Sequence, residues 1–399
     1  MKTIYLLILA LFCSTSFFAQ DSNNQYQNTA DILTSSDKNL TIGGYGEVHY
    51  NQTFSADKRY NGAMDVHRMV LLFGYNFSDK TQFVTEVEME HVKELWVEQA
   101  YLQHKLHKYI NIKAGLLLIP MGIINEYHEP TAFNGVERPL IDSKLAPTTW
   151  REIGAGISGT ILPVSIKYQA YVVNGSSSYD GSTGLFNGAN GMRSGRQKGA
   201  ESYISSPNFA AKIEYFGLRG LNLGLSGYFG NSQSKLYNGI DKTNAASIAK
   251  ADSSVVGVSM LGFDARYNLK GLELRGQLYY TSYSNTSAYN KFTQKSGKLN
   301  DLAEEMIGYY LEAGYNVLSL VPQSKMQLIP FVRYQDYNMH LSVNPNQTVN
   351  NKYIGNVLTT GLTLHLTKGA VVKADVDFVK TKADIKATTT FNAGIGVMF

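Results

Sequence analysis

The most restrictive feature of this chain is an apolar–polar alternation of period two that starts at Leu40 and runs to Phe399. It breaks into about sixteen segments of roughly ten to fifteen residues, bounded by clusters of Gly, Asn, Asp or Ser, which is the signature of successive β-strands. Leu221-Leu223-Leu225-Gly227-Phe229 alternates with Asn222-Gly224-Ser226-Tyr228, and Leu261-Phe263-Ala265-Tyr267-Leu269 with Gly262-Asp264-Arg266-Asn268. Leu272-Leu274-Gly276-Leu278-Tyr280 alternates with Glu273-Arg275-Gln277-Tyr279, and Ala370-Val372-Ala374-Val376-Phe378 with Val371-Lys373-Asp375-Asp377. Each segment therefore has one greasy and one wet face. Past the first twenty residues no window approaches the ~18 consecutive apolar residues of a spanning helix, which excludes a helical membrane protein.

A soluble sandwich also alternates, so connection lengths must separate the two cases. Phe77–Lys80, Leu106–Lys108, Leu162–Pro163, Gly217–Gly220 and Thr367–Gly369 are tight. Between them come Pro120–Thr149, Asn174–Pro207, Gly230–Asp252, Ser284–Glu304 and His340–Lys352, all long. Short turns at one rim and long loops at the other are the asymmetry of an outer-membrane barrel, although His91–Lys93 and the connection after Lys380 are shorter than that rule expects. A strand in hydrocarbon has no water for its amides, so the sheet must close on itself. Aromatics near segment ends, among them Tyr50, Phe54, Tyr75, Phe229, Tyr267 and Phe378, suit interfacial girdles. The expected fold is all-β, a transmembrane antiparallel barrel of about sixteen strands over 40–399.

The first twenty residues carry Lys2, an apolar run from Ile4 to Cys13, and then Ser14, Thr15, Ser16 and Ala19, the layout of a cleaved secretory signal. The bulky Phe12 before Cys13 argues against lipid attachment there. Cys13 is the single cysteine, so the exported protein is expected to have neither disulfides nor a thiolate metal site. There are 36 Lys and Arg against 32 Asp and Glu, a balance of +4 that becomes +3 once Lys2 leaves with the signal. That gives no reason to expect nucleic acid as a partner. Residues 21–39 are short and polar and are expected to form a flexible lead.

About sixteen strands enclose an aqueous channel, whereas eight would be filled by their own side chains. The loop 120–149 is expected to fold inward as a constriction, because Ile123, Ile124, Phe133, Leu140, Ile141 and Leu145 have no place on a solvated surface. Packing across the barrel mouth or against a neighbouring subunit is the alternative. Its candidate constriction residues are Glu126, His128, Glu129, Phe133, Glu137 and Arg138.

The segments Ile42-Gly43-Gly44-Tyr45-Gly46-Glu47-Val48, Ala114-Gly115-Leu116-Leu117-Leu118-Ile119-Pro120-Met121-Gly122, Val136-Glu137-Arg138-Pro139 and Trp150-Arg151-Glu152-Ile153-Gly154-Ala155-Gly156 stand in a particular order and spacing. With them the chain resembles the phosphate-selective porin O/P family of Gram-negative bacteria, in the form typical of Bacteroidetes, over the whole barrel. The resemblance implies a sixteen-stranded, trimeric porin in the outer membrane, with its long third extracellular loop forming a constriction. The final strand, ending on Phe399, likewise resembles the C-terminal signal read by barrel-assembly machinery. Family members that select phosphate line their pores with Arg and Lys.

That lining is mixed here. Alternation puts Arg68, Lys113, Lys167, Lys212, Arg266, Arg275, Arg333 and Lys373 on the lumen side. It puts Glu47, Glu86, Glu88, Glu90, Glu152, Glu214, Asp264, Glu273, Glu312, Asp375 and Asp377 there too. Arg266 beside Asp264 and Arg275 beside Glu273, two apart on one face, are expected to pair. Glu86, Glu88 and Glu90 could form a cation site, but pairing with lumen cations is the better expectation. Arg193, Arg196 and Lys198 could draw anions, bind lipopolysaccharide phosphates or simply be solvated. Glu126-Tyr127-His128-Glu129 could hold a metal, but polar loop residues commonly cluster without one. His49, His67, His104 and His365 could be imagined in a barrel lipase, yet no serine stands in a nucleophile setting. The expectation is a porin without cofactor, metal or catalytic residue, passing small polar solutes with anions such as phosphate favoured, and meeting lipid and lipopolysaccharide outside. The competing reading is a surface-binding barrel with an occluded lumen.

Overall fold

The computed structural model describes residues 28, 30, 38–55 and 57–399. The expected signal at 1–20 and most of the expected lead lie outside them. Sixteen antiparallel strands form one closed barrel. They are β1 (Leu40–Phe54), β2 (Ala63–Asn76), β3 (Thr81–Glu90), β4 (Glu94–His107), β5 (Ile110–Leu118), β6 (Arg151–Ile161), β7 (Ile166–Val173) and β8 (Asn208–Leu218). The second half comprises β9 (Leu221–Asn231), β10 (Gly257–Leu269), β11 (Leu272–Ser284), β12 (Glu305–Tyr315), β13 (Gln327–Ser342), β14 (Ile354–Thr367), β15 (Ala370–Thr381) and β16 (Thr388–Met398).

Each strand pairs with its sequence neighbours, and β1 with β16 completes the ring from Tyr45↔Met398 to Phe54↔Thr389. Backbone bonds Gly44 N→Phe399 O (3.0 Å) and Phe399 N→Gly44 O (2.9 Å) extend that seam to the last residue. Gly44 permits this closeness, since a Cβ there would stand 2.5 Å from the Val70 carbonyl and 2.9 Å from the Phe399 ring. No amide edge is left for hydrocarbon to desolvate.

The burial pattern inverts that of a soluble sheet. Leu225 is 59% exposed and Leu311 62%, whereas Asp264 on the other face is wholly buried. The apolar faces point outward and the polar faces meet inside, so the packed interior is a polar lumen crossed by a loop.

The connections also divide by rim. Residues 108–109, 219–220, 270–271 and 368–369 make two-residue turns at the same rim as 77–80 and 162–165. An exception there is 316–326, where a single 3₁₀ turn, Val317–Leu320, is capped by the Asn316 side chain. The opposite rim carries 119–150, 174–207, 232–256, 285–304 and 343–353, with short links at 91–93 and 382–387. Helices Ala245–Ser253 and Thr286–Phe292 sit in these loops, and Ser177–Tyr179 pairs in parallel with Gln233–Ser234. None of these short elements is readable within the long loops of the sequence, because segments this short carry no period.

Candidate functional site

The segment 119–150 lies inside the barrel, and its fixings explain why. Asn125 staples its base: Nδ2 donates to Ile119 O (2.7 Å) and Trp150 O (2.9 Å), and Trp150 N donates back to Oδ1 (2.7 Å). Gly122, at φ +68°, brings the chain so close to the far wall that a Cβ would collide with the Tyr279 hydroxyl at 1.8 Å. There Ile123 N donates to Gln277 Oε1 (3.1 Å), and Lys212 Nζ donates to Gly122 O (2.7 Å). Further along, Arg275 donates to Ala132 O (2.7 Å), Arg333 donates to Asn134 O, and Val136 N donates to Asp375 (2.6 Å). Tyr279 donates to Asp142 (2.6 Å) at the far end. The apolar anchors Ile123, Phe133, Ile141 and Leu145 are all buried with the loop.

Most of the lumen charges are absorbed by this arrangement. Lys212 reaches Glu126 (3.0 Å), Glu214 (3.6 Å) and Asp264 (3.7 Å). Arg333 pairs with Glu312 (2.7 Å). Arg68 pairs with Glu47, stands 3.8 Å from Glu88, and donates to the His128 carbonyl. Arg275 lies 3.6 Å from Glu273 and 3.8 Å from Glu312.

One expected pair is corrected. Arg266 bonds to Glu214 rather than to Asp264, which turns to Lys212. Glu214 and Asp264 both register with Gly224 of the strand between them, so a long guanidinium finds the carboxylate two strands away instead of its own i−2 neighbour.

The triplet on β3 also divides. Glu86 accepts from Tyr45 (2.7 Å) and Gln99 (2.7 Å) and lies 3.7 Å from His128, Glu88 faces Arg68, and Glu90 lines the chamber described below. Glu126 and His128 go to different partners, so the sequence Glu126–Glu129 makes no ligand set. His128 instead donates to Glu98 (3.1 Å). Burial pushes the His128 imidazole down, but the charges of Glu98 and Glu86 and the hydrogen bonds to both outweigh it, and its pKa rises to about 10. Lys113 and Lys167 line a smaller chamber of about 170 Å³, to which Asn28 and Ala30 also contribute. The Lys373 ammonium lies 3.8 Å from the Phe133 ring centre and makes no hydrogen bond among the described residues. Glu152 accepts from Trp150 Nε1 (2.9 Å) and Tyr228 (3.0 Å), and Asp377 from Thr359.

Above the loop, toward the long-loop rim, is a chamber of about 500 Å³. Arg138, Arg193, Arg196 and Lys198 stand on its wall. Arg193 donates to Ser143 O (3.2 Å) and Thr148 O (2.7 Å), and Arg196 to Pro147 O (3.0 Å) and Thr148 O (2.8 Å). Lys198 stands 3.9 Å from the Trp96 ring centre. No carboxylate lies within ion-pair distance of these four among the described residues. Burial, with repulsion from Arg193 and Arg151, lowers the Arg196 guanidinium to about 9. Burial and the charges of Arg196 and Arg151 lower Lys198 as well. Carbonyls satisfy hydrogen bonds without cancelling charge, so this wall keeps its positive field. Of the chamber's carboxylates, Glu47 is paired with Arg68 and Glu137 lies 3.3 Å from His49, while Glu90, Asp375 and Asp377 also stand on its wall and offset part of that field. On the other side of the loop a chamber of about 300 Å³ also touches Phe133, which thus forms part of the partition.

Sequence reasoning misses Glu98 and gives no site role to Tyr45, Arg151 and Trp150 of the family-like motifs, all buried at the loop's foot. Glu98 escaped because β4 slips register against β3 there, pairing Glu86 with Gln99 but Val87 with Val97. That bulge turns both Glu98 and Gln99 inward, where alternation allows only one.

No protein-family model matches the chain. Among solved structures, an anion-selective porin from Comamonas acidovorans aligns with a TM-score of 0.54 and 10% identity, over 90% of this chain and 99% of that one. The trimer form of in-vitro folded OmpT, an outer-membrane protein of Vibrio cholerae, aligns with a TM-score of 0.50 and 10% identity, over 91% and 100%. At such identities the likeness concerns the fold. An uncharacterized protein of Aquifex aeolicus (strain VF5) is 31% identical over 321 residues, covering 77% of this chain and 68% of that protein. With that identity sustained over most of both chains, this barrel belongs to the same protein family as the Aquifex aeolicus protein.

Proposed function

We propose that the chain is an outer-membrane porin through which small polar solutes diffuse passively, with anions favoured. The carrying observation is the chamber wall on which Arg193 and Arg196 meet carbonyls and Lys198 a ring rather than carboxylates, with Arg138 beside them. A fixed positive field in a narrow, poorly screened passage concentrates anions and repels cations. Phosphate is the natural solute in view of the likeness to the phosphate-selective porin O/P family, and the fold shared with an anion-selective porin agrees with it. The outward apolar faces would meet lipid, the long-loop rim would face the exterior with its lipopolysaccharide, and the trimer form of the OmpT neighbour supports three copies per pore unit.

A second reading, a surface-binding barrel with a blocked lumen, is favoured by Phe133 standing between the two chambers. Planar-bilayer recording of the purified protein decides between them. A porin gives stepwise currents in potassium chloride and, under a salt gradient, a reversal potential of the sign set by chloride. A persistently closed membrane supports the blocked barrel, and a potassium-selective current retires the anion preference.

A further inference from the structure

Two departures from regular strand geometry converge on one carboxylate in the upper chamber. On β2 the register against β1 slips between Glu47↔Arg68 and Val48↔Val66, so His67 is the extra residue of a bulge and faces inward beside Arg68. At the 91–93 turn, His91 and Val92 both take left-handed backbone (φ 51° and 64°), and His91 N is tied to His67 O (3.3 Å). The result aims two imidazoles at Asp65. His91 Nδ1 is 2.6 Å and His67 Nδ1 3.5 Å from the same oxygen, Oδ2. One potential ligand atom from each of the three residues lies within 4.8 Å of the others. The His67 ring makes no hydrogen bond among the described residues and is held in place by stacking on His49 at 4.5 Å. Asp65 and His67 are about one-third exposed and His91 somewhat more, and both histidines line the chamber.

We propose that Asp65, His67 and His91 form a divalent transition-metal site on the chamber wall, with a fourth position open to solvent. Two imidazoles and one carboxylate are the donor set of zinc, nickel or copper rather than of magnesium or calcium. Tetrahedral zinc with ligands at about 2.0–2.1 Å needs donor separations of about 3.3–3.5 Å. The Asp65–His67 separation already matches, and the Asp65–His91 contact opens by less than about 1 Å, which an exposed turn residue can supply. With neutral rings the trio carries the single negative charge of Asp65, and a bound dication makes it positive. The metal would therefore extend the cationic wall and leave an open ligand position for a passing anion.

The test uses the full barrel, purified without a polyhistidine tag and stripped with chelator, titrated with zinc chloride in detergent by calorimetry. One zinc per chain is expected. His67→Ala with His91→Ala should weaken binding at least about tenfold, the loss typical when even a supporting group of a metal site is removed. Heat-modifiable migration on gels verifies that this double variant is a folded barrel. Asp65→Asn should weaken binding too, whereas His104→Ala on β4, beside Thr81 at the opposite rim, should bind as the parent does. Absence of zinc binding by the folded parent overturns the proposal, as does a folded double variant that binds like the parent. Because the readout is binding in detergent, the site stands or falls independently of whether the barrel conducts.

Discussion

The lumen holds two kinds of positive charge, and their difference separates construction from function. Lys212, Arg68, Arg333 and Arg266 are buried against carboxylates, and all but Arg266 also donate to a carbonyl of the inward loop. Arg193 and Arg196 instead spend their donors on the carbonyls of 143–149, and Lys198 rests on Trp96. The first group is electrically neutralised and fixes geometry. The second has hydrogen bonds but no ion-pair partner, so its field, offset in part by Glu90, reaches the solute.

Breaking the first group should cost most. Lys212→Met strands Glu126, Glu214 and Asp264 without their shared cation, and removing one partner of a buried ion network costs about 3–5 kcal/mol. The urea midpoint of the barrel, followed by tryptophan fluorescence, should drop accordingly. An unchanged midpoint would mean that the loop is held without it.

The His128 anchor should titrate. Its folded pKa, about 10, lies above the ordinary 6.5, so its stabilisation is complete below about 6.5 and is lost as pH rises through about 10. Urea midpoints measured from about pH 7 to 10.5 should fall in the parent and stay flatter in His128→Asn.

The second group should move selectivity, at a smaller cost in stability than Lys212→Met. Arg193→Gln with Arg196→Gln should lower chloride-over-potassium permeability several-fold, read from reversal potentials. Arg275→Gln should change the reversal potential least, since Glu273 and Glu312 already hold that charge. A larger shift from Arg275 than from the arginine pair would erase the distinction between the two groups.

How much of this was legible follows from what each signal measures. Sixteen strands, closure and the inward polar face could be read from alternation, because period two assigns a face to every residue of a regular strand. Lys212, Arg333 and Asp375 were assignable to the lumen on that ground alone. The rule fails where a strand bulges, which hid Glu98 behind Gln99 and hid that His67 faces inward together with Arg68. It also says nothing about partners across strands, so Arg266 was matched with Asp264 when Glu214 was nearer.

The sequence by itself determined that the chain must close into a cylinder with its apolar residues outside. That conclusion rests on local periodicity and on the cost of unsatisfied amides in lipid, neither of which depends on distant contacts. Only the tertiary structure decided which charges cancel and which remain active. Neutralisation depends on distances of a few ångströms between residues as far apart in the chain as Glu126 and Lys212, and those distances exist only once the loop has crossed the barrel.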